Sequence, residues 1–174
     1  MSGTPTPPRG RWGRIGGDPD RRPPRRETRL LVVDDSPSAR KLLQAILLRL
    51  GYTLPELRMA TTPDEALRMF VDWRPETVIV DVELRAPAPV GSAGKDPGSE
   101  RTPRDGIGLA TEFLARSPNL RIVLCSATDP GDPRIQGLLA DRRAQFVTKP
   151  VVASRIQAVL EAPGAGPRPA ALDD

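Results

Sequence analysis

Histidine is missing from all 174 residues. That removes Ser-His-Asp and Cys-His catalysis, His-ligated metal and any phosphohistidine donor role. A single cysteine, Cys125, rules out a disulfide framework or a Cys-rich zinc site within one chain. No run approaches the roughly 20 apolar residues that cross a bilayer. The N-terminus has proline, glycine and arginine but no apolar signal core. These absences lead us to expect a soluble, cytoplasmic protein without a membrane partner.

Hydrophobic residues make up 38% and charged residues 28% of the chain, enough for one domain to bury a core. With 21 prolines and 15 glycines, part of the chain must be irregular. Residues 1–28 carry seven arginines against Asp18, Asp20 and Glu27, which accounts for the whole net charge of +4. Six prolines and five glycines lie in the same stretch, and its few apolar residues cannot offset the entropy of ordering. It reads as a disordered basic arm. Such an arm suits contact with nucleic acid or an acidic partner, with Trp12 as its one stacking residue, and a plain solubilising tail explains it equally well. A second irregular stretch, 85–105, holds four prolines and three glycines and reads as an insertion. Residues 162–174 read as a short disordered tail.

Between these stretches, apolar runs alternate with amphipathic segments. Leu30–Val33, Thr77–Val80, Arg121–Cys125 and Ala144–Val147, with Leu57–Ala60 as a weaker one, are apolar runs and not period-two alternations, as in a parallel sheet covered on both faces. The helices begin at Ser36-Pro37, Thr62-Pro63, Gly106, Pro133 and beyond Lys149-Pro150, and the fourth spans Pro133–Asp141. Ser36 caps the first helix, Pro37 opens it and Gly51 follows its end. The 29–161 stretch is therefore expected to be a doubly wound α/β domain.

Ligands of such sheets bind beyond the carboxyl ends of the strands. There the sequence places Asp34 and Asp35 after the first strand and Asp81 after the third. Ser126 follows the fourth, and Lys149 comes just after the fifth. Converging carboxylates repel one another, and Mg²⁺ with oxygen ligands relieves the repulsion. The hydroxyl and the ammonium are donors for a tetrahedral oxyanion. The set reads as a metal-assisted phosphoryl site.

The stretch L-L-V-V-D-D-S-P-S-A-R resembles the opening of the receiver domains of bacterial two-component response regulators, the CheY-like family. V-I-V-D-V-E-L resembles that family's phosphoacceptor strand, V-L-C-S-A its switch-hydroxyl strand and A-Q-F-V-T-K-P its lysine turn. The resemblance implies a flavodoxin-like sheet of order 2-1-3-4-5. It also implies a phosphoaspartate at Asp81 and Mg²⁺ held by Asp34, Asp35, Asp81 and the backbone carbonyl of Glu83. Ser126 and Lys149 would bind the phosphoryl group, and Phe146 would be the aromatic switch. The implied donor is a sensor histidine kinase or a histidine phosphotransfer protein. The implied output is a changed surface for an unknown downstream protein, since the 25 residues after Lys149 hold one helix and a tail. Glu83 and Thr128, beside acceptor and hydroxyl, are expected to set the lifetime of the phosphorylated state. Two readings compete: a degenerate receiver serving as a phosphorylation-independent scaffold, and an aspartate-nucleophile phosphohydrolase built on Asp81-Val82-Glu83.

Overall fold

The structure is a computed structural model that describes residues 28–85, 103 and 105–162. Apart from Thr28, Arg85, Pro103, Asp105 and Ala162, the basic arm, the insertion and the tail lie outside the described residues.

The elements run β1 Leu30–Val33, α1 Pro37–Arg49, a 3-10 turn Leu54–Glu56, β2 Leu57–Ala60, α2 Pro63–Trp73 and β3 Thr77–Asp81. They continue with α3 Gly106–Arg116, β4 Arg121–Ser126, α4 Pro133–Leu139, β5 Ala144–Thr148 and α5 Ala153–Glu161. The sheet is parallel throughout, in the order β2-β1-β3-β4-β5. This is the doubly wound architecture and strand order expected from the sequence.

Successive strand side chains point to opposite faces, so every strand contributes to two cores. Leu31, Val33, Val78, Val80, Ile122 and Leu124 join Ala66 and Phe70 of α2, Phe113 of α3 and Ile135 of α4 on one face. Leu30, Val32, Ile79, Val123 and Cys125 join Leu43, Ile46 and Leu47 of α1 and Ile156 of α5 on the other. Both faces being covered explains why the central strands β1, β3 and β4 are buried almost throughout, while the edge strands β2 and β5 admit Arg58 and Gln145.

The helix starts follow their capping residues. Ser36 Oγ accepts from Ala39 N (3.4 Å), Thr62 Oγ1 from Glu65 N (3.2 Å) and Asp105 Oδ1 from Gly108 N (2.7 Å). Gly51, just past α1, has φ of +91°, the left-handed backbone that glycine adopts freely. α4 is shorter than expected and stops at Leu139, not Asp141. The Asp141 carboxylate instead accepts from Arg143 N (2.9 Å) and grips its guanidinium (2.6 Å). Those bonds satisfy the backbone in a turn, not a further helical step.

Arg121, at the start of β4, donates to the carbonyls of Leu160 (2.6 Å) and Ala162 (3.0 Å). It thereby satisfies carbonyls that α5 leaves unpaired at its end. Arg121→Ala is expected to cost about 1.5 kcal/mol, as for a hydrogen-bonded charged group. Hydrogen exchange should quicken at the amides of α5 and not at those of α3. Unchanged exchange in α5 would refute this anchoring role.

Candidate functional site

Register brings the chemistry to one edge. Val33 pairs with Val80 across β1 and β3, so Asp34 and Asp81 follow at the same level. Asp81 pairs with Cys125 across β3 and β4, and Ser126 comes one step later, opposite Thr148. The Lys149 amide donates to the Ser126 carbonyl at 2.7 Å, which holds the lysine at the same edge.

One carboxylate oxygen from each of Asp34, Asp35 and Asp81 lies within 4.8 Å of the others. Asp34 and Asp81 are buried, and Asp35 is exposed. Lys149 Nζ stands 2.8 Å from Asp81 Oδ2, 3.6 Å from Asp34 Oδ2 and 3.9 Å from Glu83 Oε2. Three carboxylates thus lie within 4 Å of one ammonium, with the Asp35 carboxylate alongside Asp34 and Asp81, so negative charge is in surplus. Burial, the neighbouring Glu83 carboxyl and Asp34 push the Asp81 carboxyl up to about 6, against the pull of Lys149. Lys149 is raised in turn, since contact with Asp81, Asp34 and Glu83 outweighs its own burial.

The buried Asp34 Oδ2 and Glu83 Oε2 have no hydrogen-bond partner. The site therefore holds clustered hard oxygen donors, surplus negative charge and unsatisfied oxygens. That combination fits a small divalent cation such as Mg²⁺.

Glu83 is where the structure adds most to the sequence reading. Its amide donates to Asp81 Oδ1 at 3.0 Å. Its side chain reaches across to the β4 end, where Oε1 accepts from Ser126 Oγ (2.5 Å), Ala127 N (3.0 Å), Thr128 Oγ1 (3.0 Å) and Thr128 N (3.2 Å). Burial opposes its ionisation, but the bonds with Asp81, Ser126 and Thr128 prevail and hold it at about 2. Asp-x-Glu on one strand end and Ser-x-Thr on the next were visible as separate pairs. Their contact depends on the β3–β4 register.

The structure brings Asp34, Asp35, Asp81, Glu83, Ser126 and Lys149 together, and leaves Phe146 outside the cluster. Phe146 is half-buried against the α2–α4 face of the core. Cys125 is buried next to the site with its thiol pushed up to about 12 by burial, which leaves it inert as a nucleophile. Arg85 and Asp105 pair as an antiparallel bridge, and Asp105 also binds Arg134 of α4 at 2.6 Å. The two ends of the insertion therefore meet beside the site.

No protein-family model matches the chain. The chemotaxis protein CheY of Thermotoga maritima is 26% identical over 132 residues, 76% of this chain and 93% of that protein. A protein-glutamate methylesterase/protein-glutamine glutaminase of Bradyrhizobium diazoefficiens is 29% identical over 139 residues, 79% of this chain but only 33% of that protein. Among solved structures, the response regulator TrrA of Thermotoga maritima, in complex with Mg²⁺ and BeF, superposes with a TM-score of 0.57 at 26% identity. That likeness covers 76% of this chain and 96% of TrrA. Among the described residues no helix is long and apolar enough to cross a membrane. In the parallel sheet of order 2-1-3-4-5, in the acids and lysine gathered at its carboxyl edge and in sequence, the chain is similar to the CheY-like receiver domains of response regulators.

Proposed function

We propose that this receiver domain takes up a phosphoryl group on Asp81 in a Mg²⁺-dependent reaction and signals through a changed surface. The observation that carries the reading is Lys149 Nζ, 2.8 Å from Asp81 Oδ2, with the Asp34 and Asp35 carboxylates alongside. An ammonium touching the acceptor carboxylate can follow the charge onto the transferred group.

In the reaction a carboxylate oxygen of Asp81 forms a bond to phosphorus as the bond from phosphorus to the donor breaks, leaving an acyl phosphate. Asp34, Asp35, Asp81 and the Glu83 carbonyl are the residues that would hold Mg²⁺. Bound there, the ion neutralises carboxylate and phosphoryl charge. Ser126 donates its hydroxyl to a phosphoryl oxygen, and Lys149 pairs with another. Phe146, two residues before Thr148 on the neighbouring strand, would be the aromatic switch that follows movement of Ser126. The donor fitting this chemistry is the phosphohistidine of a sensor histidine kinase or histidine phosphotransfer protein. The recipient of the signal is a further protein.

The test is Phos-tag electrophoresis after incubation with acetyl phosphate and Mg²⁺. The wild-type chain is expected to give a shifted band that Asp81→Asn and chelation of the metal each abolish. A shifted band that persists in Asp81→Asn overturns the assignment of the acceptor. Folded wild-type protein that neither acetyl phosphate nor a histidine kinase labels overturns the reading and leaves the scaffold.

A further inference from the structure

The contacts of Glu83 have a consequence for how the site is loaded. A single carboxylate oxygen with four donors, Ser126 Oγ, Ala127 N, Thr128 Oγ1 and Thr128 N, has as many as its lone pairs and charge can draw. The Thr128 amide also reaches Ser126 Oγ at 2.9 Å, so the hydroxyls and amides of the Ser126-Ala127-Thr128 turn close around one anionic atom. Ser126 is fully buried, and its hydroxyl has one proton to give. The second Glu83 oxygen lies 3.9 Å from Lys149 Nζ. The donors that would receive a phosphoryl group on Asp81 are thus already engaged by a carboxylate of this chain.

We infer that the Glu83 side chain is a resident occupant of the phosphoryl pocket, which must withdraw before the phosphoryl group can take Ser126 and which re-enters when that group leaves. This rests on the reading of Asp81 as the acceptor. The backbone of Glu83 is tied to Asp81 Oδ1 through its amide, so withdrawal is a matter of side-chain torsions. A route outward exists, because the side chain is 37% exposed.

Two measurements test the occupancy. In metal-free protein, the Ala127 and Thr128 amide resonances are expected to move upfield in Glu83→Ala, as hydrogen bonds to a carboxylate are lost. With acetyl phosphate at saturating Mg²⁺, initial labelling of Asp81 is expected to be about tenfold faster in Glu83→Ala than in wild type, the factor recovered when a pocket vacant a tenth of the time becomes always vacant. Glu83→Gln keeps the bulk and a neutral acceptor, so its rate should fall between the two. Equal rates in wild type and Glu83→Ala overturn the inference. Equal rates in Glu83→Gln and Glu83→Ala, however fast, also overturn it, since charge alone would then be responsible. If labelling fails in every variant the assignment of Asp81 falls instead, and unmoved amides in Glu83→Ala would show independently that the glutamate does not fill the pocket.

Discussion

Gly106→Ala should strongly destabilise the domain. A Cβ at Gly106 would lie 1.8 Å from the carbonyl oxygen of Asp81, 2.8 Å from its carbon and 2.9 Å from the Val82 Cα. All three are backbone atoms, so no side chain can swing away. The start of α3 or the end of β3 must move. Overpacking of this kind costs about 3 kcal/mol, a large part of the roughly 5–15 kcal/mol that holds a domain folded. The carbonyl that would be displaced belongs to the proposed phosphoacceptor, and it also accepts from Leu84 N at 3.3 Å. Urea unfolding should show the loss, and acetyl phosphate labelling should fall with it under conditions where the variant is still folded. Stability within 1 kcal/mol of wild type would mean that α3 can slide off the strand end, against the close packing described here.

Phe113→Ala is expected to be about as damaging for a different reason. The ring is fully buried and stacks on Phe70 with centroids 4.3 Å apart and planes 15° apart. It joins α2 to α3 over the sheet. Truncating a buried phenylalanine costs about 3–5 kcal/mol through lost transfer energy and the cavity left behind. In a domain of this size the melting temperature should fall by roughly 10 °C or more. Val71, on the outer face of α2 and 57% exposed, provides the control, since Val71→Ala should change stability by no more than about 0.5 kcal/mol. A Phe113→Ala loss as small as that of Val71→Ala would show that the two helices repack around the vacancy.

Much of this fold was legible because local signals and burial agree. β2 and α3 fall on Leu57–Ala60 and Gly106–Arg116, the bounds read from an apolar run and from an Asp-Gly helix start. β4 and β5 each run one residue further, through Ser126 and Thr148, because the ladder between them continues past the apolar run. The 3-10 turn Leu54–Glu56 went unread. It depends on Thr53 and Glu56 capping each other, with the Thr53 amide and hydroxyl both 2.7 Å from the Glu56 carboxylate. Arg74, the residue after α2, adopts a φ of +51°, a conformation that a non-glycine residue does not advertise.

The site divides along the same line. Asp34, Asp35, Asp81, Ser126 and Lys149 could be placed together because each ends or follows a strand of one parallel sheet. The Glu83 side chain could not, since an acid two residues past a strand end turns outward as readily as inward. Only pairing with the neighbouring strand brings the Ser126-Ala127-Thr128 donors within its reach.

Asp105 joins three parts of the molecule in a single residue. It caps α3, pairs with Arg85 at the foot of the insertion and holds Arg134 at the first turn of α4. The cap is local and directional, whereas the ion pair lies between side chains 39% and 60% exposed, where water and salt weaken such contacts. Of the two links, the cap is the one that salt leaves intact, and the tie between α3 and α4 is the one that rising ionic strength loosens.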